Sequence, residues 1–208
     1  MGFLQSSWSF SRYFVIGDLS EDYEKEFASA VERYAFKNME EQSAEERRIG
    51  WAGIHDMFQT RVDAMGFLNP PYVSLTLRID KKHVPPKALL RYTKEAEAAV
   101  REEEALEYLP RARRLEIKDA VNLNLIKRAI PDSAAYDMVW NLETGIVMFG
   151  SANAKLGDEF SELFTKTFGL TLTPVFPYAL GLSLLEKDGK EPGRMDDMTS
   201  MESLEDDE

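Results

Sequence analysis

The spacing of apolar residues along the chain predicts its secondary structure. Residues 72–79 alternate between polar and apolar side chains, which is typical of a strand with one buried face. Four positions of that strand are expected to face a core: Val73, Leu75, Leu77 and Ile79. In residues 154–168, apolar side chains instead recur at the period of a helix with one buried side. Ser151 or Asn153 is expected to cap this helix, and Gly169 to end it.

The whole chain shows ten such elements, in the order β-α-β-β-α-α-β-β-α-β. They cover, in turn, residues 8–16, 20–36, 49–58, 72–79, 87–108, 111–129, 135–142, 146–149, 154–168 and 170–176. Strand pairs interleaved with helices predict an α+β fold with antiparallel or mixed sheets and packed helices. Most aromatic residues fall at core spacing. We therefore expect residues 1–186 to form a single α+β domain, and the pattern leaves open whether it is elongated into sub-domains.

The composition is sufficient for a folded core without covalent or metal staples. Hydrophobic residues make up 44% of the 208 residues, and cysteine is absent, which removes disulfides, thiolate nucleophiles and cysteine ligands. No signal peptide or bilayer-spanning apolar run is visible, so we expect a cytoplasmic protein without membrane contact. Residues 186–208 carry ten acidic and three basic side chains. Residues 187–208 are accordingly predicted to be a disordered acidic tail.

The residues offer no recognisable catalytic constellation. The two histidines, His55 and His83, are far apart in the sequence, and none of the common hydrolase, zinc or phosphate-loop motifs occurs. The turn before residue 154 could bind an anion at a helix N-terminus, but an ordinary cap is the favoured interpretation. We therefore expect no enzymatic activity, no cofactor and no metal.

Basic side chains are concentrated in one segment of the chain, residues 109–130. The net charge of −12 disfavours a generic nucleic-acid binder, yet residues 109–130 hold six basic side chains against two acidic ones. On a helix, Arg111, Arg114 and Lys118 lie close to one face. The buried side is expected to consist of apolar residues of the same helix: Val121, Leu125, Leu115 and Ile126. The cations form either a phosphate-contacting ridge or a solvated face that offsets the acid-rich helix before it, and charge alone favours the second interpretation.

Several short patterns occur in an order and spacing that resemble the recombination-associated RdgC family, from about residue 10 to residue 177. They are Gly50-Trp51, Val84-Pro85-Pro86, the segments 117–121 and 125–129, Met138-Val139-Trp140, the turn 143–145, the segment 151–155 and the segment 174–177. The resemblance implies a bacterial, non-enzymatic protein. It implies a ring-shaped homodimer that takes duplex DNA through a positively charged hole without strong sequence preference, is associated with the nucleoid and restrains recombinase filaments.

With that resemblance, the basic side chains become expected DNA contacts: Arg111, Arg113, Arg114, Lys118, Lys127, Arg128, Lys81 and Lys82. The expected function is sequence-independent binding of double-stranded DNA by a homo-oligomer linked to control of recombination. The alternative is a shortened relative that serves as a protein-interaction or assembly module without DNA binding. In that case, the acidic tail could contact a basic protein partner or cover the chain's own basic ridge.

Overall fold

The fold is described from a computed structural model, which covers residues 9–40, 42–59, 64–176, 180–181, 185 and 189. The strands are β1 (Ser11–Ile16), β2 (Arg47–Ala52), β3 (Leu68–Asn69), β4 (Tyr72–Lys81), β5 (Asp132–Asn141), β6 (Ile146–Phe149) and β7 (Thr171–Pro174). The helices are α1 (Tyr23–Arg33), α2 (Ala64–Phe67), α3 (Pro86–Glu103), α4 (Arg111–Arg128) and α5 (Ala154–Phe168). The predicted order is confirmed, with short α2 and β3 added. The acidic tail lies outside the described residues apart from residue 189, so the tail and the domain boundary stay predictions.

The strands form one antiparallel sheet in the order β2-β4-β5-β6-β1-β7, with β3 pairing β4. The longest ladder joins β4 and β5, which pair along their full lengths from Tyr72 opposite Asn141 to Lys81 opposite Asp132. Together with the helices, this sheet confirms the α+β class. Because β4 and β5 are neighbours, the long connection between them must leave and rejoin the sheet at the same end.

One face of the sheet carries the core, covered by α1 and α5. The four predicted positions of β4 are all buried, as are Phe27 of α1 and the three phenylalanines of α5, Phe160, Phe164 and Phe168. Phe149 of β6 and Phe160 of α5 stack with ring centroids 4.1 Å apart and an angle of 8° between their planes. The indole Nε1 of Trp51 donates to Thr167 Oγ1 at 2.8 Å. Burial of these rings is the main force that fixes α5 on the sheet.

Helix α5 begins and ends where its capping residues predict. The Asn153 side chain accepts a hydrogen bond from the Leu156 backbone N–H at 3.1 Å. At the other end, Gly169 has a φ of 70°, in the left-handed region where glycine carries no side-chain penalty. These two local signals therefore set the helix bounds without help from the rest of the chain.

Several element bounds differ from the expectations. Helix α3 ends at Glu103 instead of residue 108, and β5 begins at Asp132 instead of residue 135. Helix α1 ends at Arg33 because the next residues run beside β2, where Phe36 N–H donates to the Trp51 carbonyl at 2.7 Å. Strand β2 ends at Ala52 instead of residue 58 because the chain folds into a loop, which Gly53 N–H closes by donating to the Gln59 carbonyl at 3.2 Å.

The prediction of which α4 residues are buried was wrong at one position. Leu115 is 59% exposed, whereas Ile117 is buried. Val121 and Leu125 are partly buried and Ile126 is buried, as expected. Among the described residues, α3 is the element that packs closely on α4, and the buried side of α4 is narrower than its set of apolar residues.

The opposite face of the sheet holds a buried polar cluster under the segment that follows α1. Arg78 makes two hydrogen bonds of 2.8 Å to the Asp80 carboxylate, and its guanidinium lies 4.2 Å from the Phe36 ring centroid. Thr76 donates to Asp137 at 2.7 Å in the same layer. Pairing compensates much of the cost of burying these charges. Period-two alternation alone would have placed Arg78 and Thr76 in solvent.

Candidate nucleic-acid interface

Helices α3 and α4 form an antiparallel hairpin between β4 and β5, here called the α3–α4 hairpin (residues 86–128). Pro86 occupies the first turn of α3, and Pro110 precedes α4, so proline sets both helix starts. The two helices pack against each other, and most of their side chains are exposed. The hairpin therefore offers a long solvent-facing surface at one end of the sheet.

Three of the predicted α4 cations lie side by side. Arg111 and Lys118 are three and four residues from Arg114, which makes them its neighbours on the helix surface. All three side chains are exposed, and within the described residues none forms an ion pair shorter than 4 Å. Their charges therefore stay available to an external anion.

Helix α3 adds cations to the same side of the hairpin. Lys94, Arg101 and Arg114 line one depression of about 350 Å³ between the two helices. Lys87 precedes Lys94 by seven residues, nearly two helical turns, and so lies on the same side of α3. We call this surface the basic flank and define it by six residues: Lys87, Lys94, Arg101, Arg111, Arg114 and Lys118.

The three α3 cations were not predicted as contacts from the sequence, because that helix is rich in glutamate overall. Their seven-residue spacing was the available signal. It could show that they share a side of α3, but not that this side adjoins Arg114.

The other predicted contacts lie elsewhere. Arg113 forms ion pairs of 3.0 Å with Glu104 and Glu116, and hydrogen bonds to Glu116 and Glu104 raise its pKa above the usual arginine value. Lys127 is nine residues from Lys118, on the opposite side of α4. Arg128 lines a separate groove of about 360 Å³ with the side chains of Tyr92, Glu95, Ala96, Val121, Asn124 and Leu125.

At the base of the hairpin, Lys81 is exposed but Lys82 is not. Lys82 is 5% exposed, and its ammonium donates to the Ser43 carbonyl at 2.9 Å. That hydrogen bond holds the segment before β2 against the end of β4. Lys82 is therefore left out of the basic flank.

The connection between α3 and α4, residues 104–110, is the tip of the hairpin. Ala105 has a φ of 51°, and the tip exposes Leu106 and Tyr108, the latter by 67%. The Arg114 guanidinium carbon lies 5.9 Å from the Tyr108 ring centroid. Residues 130–134 after α4 lie at the opposite end of the hairpin, where β5 begins at Asp132.

The described residues contain no group of three or more histidine, cysteine, aspartate or glutamate side chains placed to hold a metal ion. His55 and His83 are both exposed. Among these residues, none of the helices combines the length and apolarity needed to span a membrane.

Comparison with known proteins gives one family. A family model described as "Putative exonuclease, RdgC" matches residues 14–181, which include the last three residues of β1, every later strand, the covering helices and the whole hairpin. No curated protein sequence matches the chain.

Proposed function

Because the chain belongs to the RdgC family, we propose that it binds double-stranded DNA without sequence preference through the basic flank. In this proposal, it acts as a non-enzymatic homo-oligomer, a dimer, on the nucleoid, in the control of recombination. Family membership supports a role related to recombination. The basic flank is the observation that carries the DNA-binding part.

The charge distribution supports this role for the hairpin. The chain carries −12 overall, yet residues 86–128 hold ten basic and eight acidic side chains. Three of those acids pair within the hairpin, Glu95 with Arg91 and both Glu104 and Glu116 with Arg113. Glu97 and Glu107 line the depression of the basic flank, beside its cations. A local cationic surface on an acidic protein can attract phosphates while the rest of the protein repels them.

The dimensions of the flank also suit a nucleic-acid backbone. Lys87 and Arg101 are fourteen residues apart, which is about 21 Å along the helix axis. Duplex DNA carries about one phosphate charge per 1.7 Å of its axis over both strands, so several phosphates lie within the reach of a row of this length. The flank can therefore meet several phosphates at once without reading base edges.

Fluorescence anisotropy with two labelled duplexes of equal length and unrelated sequence tests this function. Both should bind with similar affinity at 50 mM salt and much more weakly at 200 mM. Sedimentation of the free protein and of the complex measures the oligomeric state. Absence of binding at low salt, or a strong preference for one sequence, would reject the proposal.

A protein-interaction module is the second candidate, favoured by the apolar side chains that the hairpin and its base expose. They are Leu90, Tyr92, Leu106, Tyr108, Leu115, Leu123 and Ile130. Deletion of residues 187–208 separates the two functions. Tighter DNA binding after deletion supports a tail that masks the basic flank, and no DNA binding by either form favours the interaction module.

The family description names an exonuclease, which the same protein preparation can test. Labelled duplex is incubated with Mg²⁺ or Mn²⁺, and shortened products are sought on a denaturing gel. We expect none. Metal-dependent shortening that copurifies with the protein would replace the non-enzymatic proposal.

A further inference from the structure

The depression on the basic flank reaches the tip of the hairpin and combines three kinds of side chain. It contains cations, two carboxylates and one aromatic ring, contributed by Lys94, Glu97, Arg101, Glu107, Tyr108 and Arg114, and the backbone turn beside it brings in Leu109. Its volume of about 350 Å³ is much larger than one water molecule. A uniform phosphate-binding ridge needs neither the ring nor the carboxylates.

The exposed ring of Tyr108 provides a surface on which a base can stack. Its side chain is 67% exposed, whereas the neighbouring Leu109 is buried between the helices. The Arg114 guanidinium carbon lies 5.9 Å from the ring centroid, within the range of a cation–π contact. An exposed aromatic face beside an unpaired cation is the combination with which proteins hold unpaired bases, since the base stacks and its phosphate meets the cation.

We propose that this depression binds an unpaired nucleotide of a DNA strand, at a single-stranded overhang or a frayed end. The base stacks on Tyr108, and the adjoining phosphate lies between Arg101 and Arg114. Glu97 and Glu107 accept hydrogen bonds from exocyclic amino groups of the base. This inference rests on the proposed DNA binding. It adds a preference for unpaired over paired nucleotides, because the bases inside a duplex have no free face to stack on Tyr108.

Tyr92 provides a matched control on the same hairpin. It is 44% exposed, and the Arg91 guanidinium carbon lies 5.6 Å from its ring. Its groove, however, has Arg128 as its single cationic lining residue. Removing the Tyr92 ring therefore removes an exposed tyrosine without removing a ring from the basic flank.

The experiment compares a blunt duplex with the same duplex carrying a five-nucleotide overhang that contains 2-aminopurine. The overhang should bind more tightly than the blunt duplex, and stacking should quench the 2-aminopurine fluorescence. Tyr108→Ala should lower overhang affinity by about 5- to 150-fold, the range measured for loss of one stacked base. Affinity for the blunt duplex should stay unchanged. Tyr108→Phe should retain the binding and quenching, and Tyr92→Ala should behave like the unaltered protein.

Equal affinity for the two DNAs, unchanged fluorescence, or an equal loss for both DNAs in Tyr108→Ala would overturn the inference. Loss in Tyr92→Ala as large as in Tyr108→Ala would do the same. Deoxyadenosine monophosphate is titrated as a competitor. Tighter binding of this free nucleotide than of the overhang would assign the pocket to a small molecule instead of a strand. If the overhang binds through Tyr108 while blunt duplex does not bind at all, duplex binding fails and the tip site stands.

Discussion

Replacing Arg111, Arg114 and Lys118 by alanine is expected to weaken duplex binding and to flatten its dependence on salt. Each phosphate contact contributes about −0.9 to the slope of log K against log salt concentration, because binding releases condensed counterions. If each of the six cations of the basic flank meets one phosphate, the slope is about −5. Removal of three contacts should change it to about −3.

The same relation gives the expected loss of affinity. Each lost contact lowers log K by about 0.9 for each tenfold decrease in salt concentration below 1 M. At 0.1 M salt, the loss of three contacts therefore lowers the association constant by about 500-fold. This is about 4 kcal/mol of binding free energy. Anisotropy titrations of a labelled duplex at several salt concentrations between 50 and 200 mM measure both the affinity and the slope.

The control removes an equal number of positive charges from the rest of the protein. Lys37, Lys155 and Lys166 are exposed and lie outside the hairpin, and their joint replacement by alanine should leave the slope within about one unit of its original value. If this control loses as much affinity as the flank variant, net charge and not the flank determines binding. An unchanged slope in the flank variant would refute the reasoning directly.

The basic flank consists of an α3 row (Lys87, Lys94 and Arg101) and an α4 row (Arg111, Arg114 and Lys118). Replacement of the α3 row tests the part of the flank that only the structure identified. The joint change of Lys87, Lys94 and Arg101 to alanine should reproduce the loss seen for the α4 row. If only the α4 row matters, the interface is the helix predicted from charge and not the flank formed by both helices.

Three further predictions concern the fold. Phe160→Ala should lower the free energy of unfolding by about 3–5 kcal/mol in urea titrations, because the ring is fully buried; a loss no larger than that of the exposed Leu123→Ala would contradict the packing. Gly169→Ala should cost about 1 kcal/mol, seen as a lower melting temperature, because its φ is 70°, whereas the helical Gly66→Ala should cost nothing; equal melting temperatures would argue against the left-handed cap. Burial, and to a lesser degree Asp158, raises the pKa of Tyr13 above its ordinary value of 10.0. The native state therefore keeps the phenol proton to higher pH than the unfolded chain, so the free energy of unfolding falls as pH rises above 10. Tyr13→Phe should lose less stability over that alkaline range, and parallel losses in chemical unfolding would refute the assignment.

Local patterns in the sequence predicted most of the secondary structure. Alternation placed Val73 and Ile79 on the buried face of β4, and Asn153 and Gly169 set the bounds of α5. These signals act within a few residues, so no knowledge of distant contacts is needed. The basic character of α4 was equally local, because charge in a short segment can be read directly.

Tertiary contacts decided the features that these patterns could not show. The segment after α1 runs beside β2 and, with the loop after that strand, buries Arg78 and Asp80, which alternation would have left in solvent. Packing of α4 on α3 buried Ile117 and left Leu115 exposed. In each case, the outcome depends on what lies opposite a residue, and that partner is far away in the sequence.

The candidate interface follows the same division. The sequence by itself determined an α+β fold, a charged helical pair and the cations of α4. The antiparallel packing of α3 on α4 decided that Lys94 and Arg101 lie beside Arg114, that Tyr108 borders them at the tip, and that Lys82 is buried. Residues on two helices can share a surface only when the helices are docked, and their spacing along the chain does not specify which sides meet.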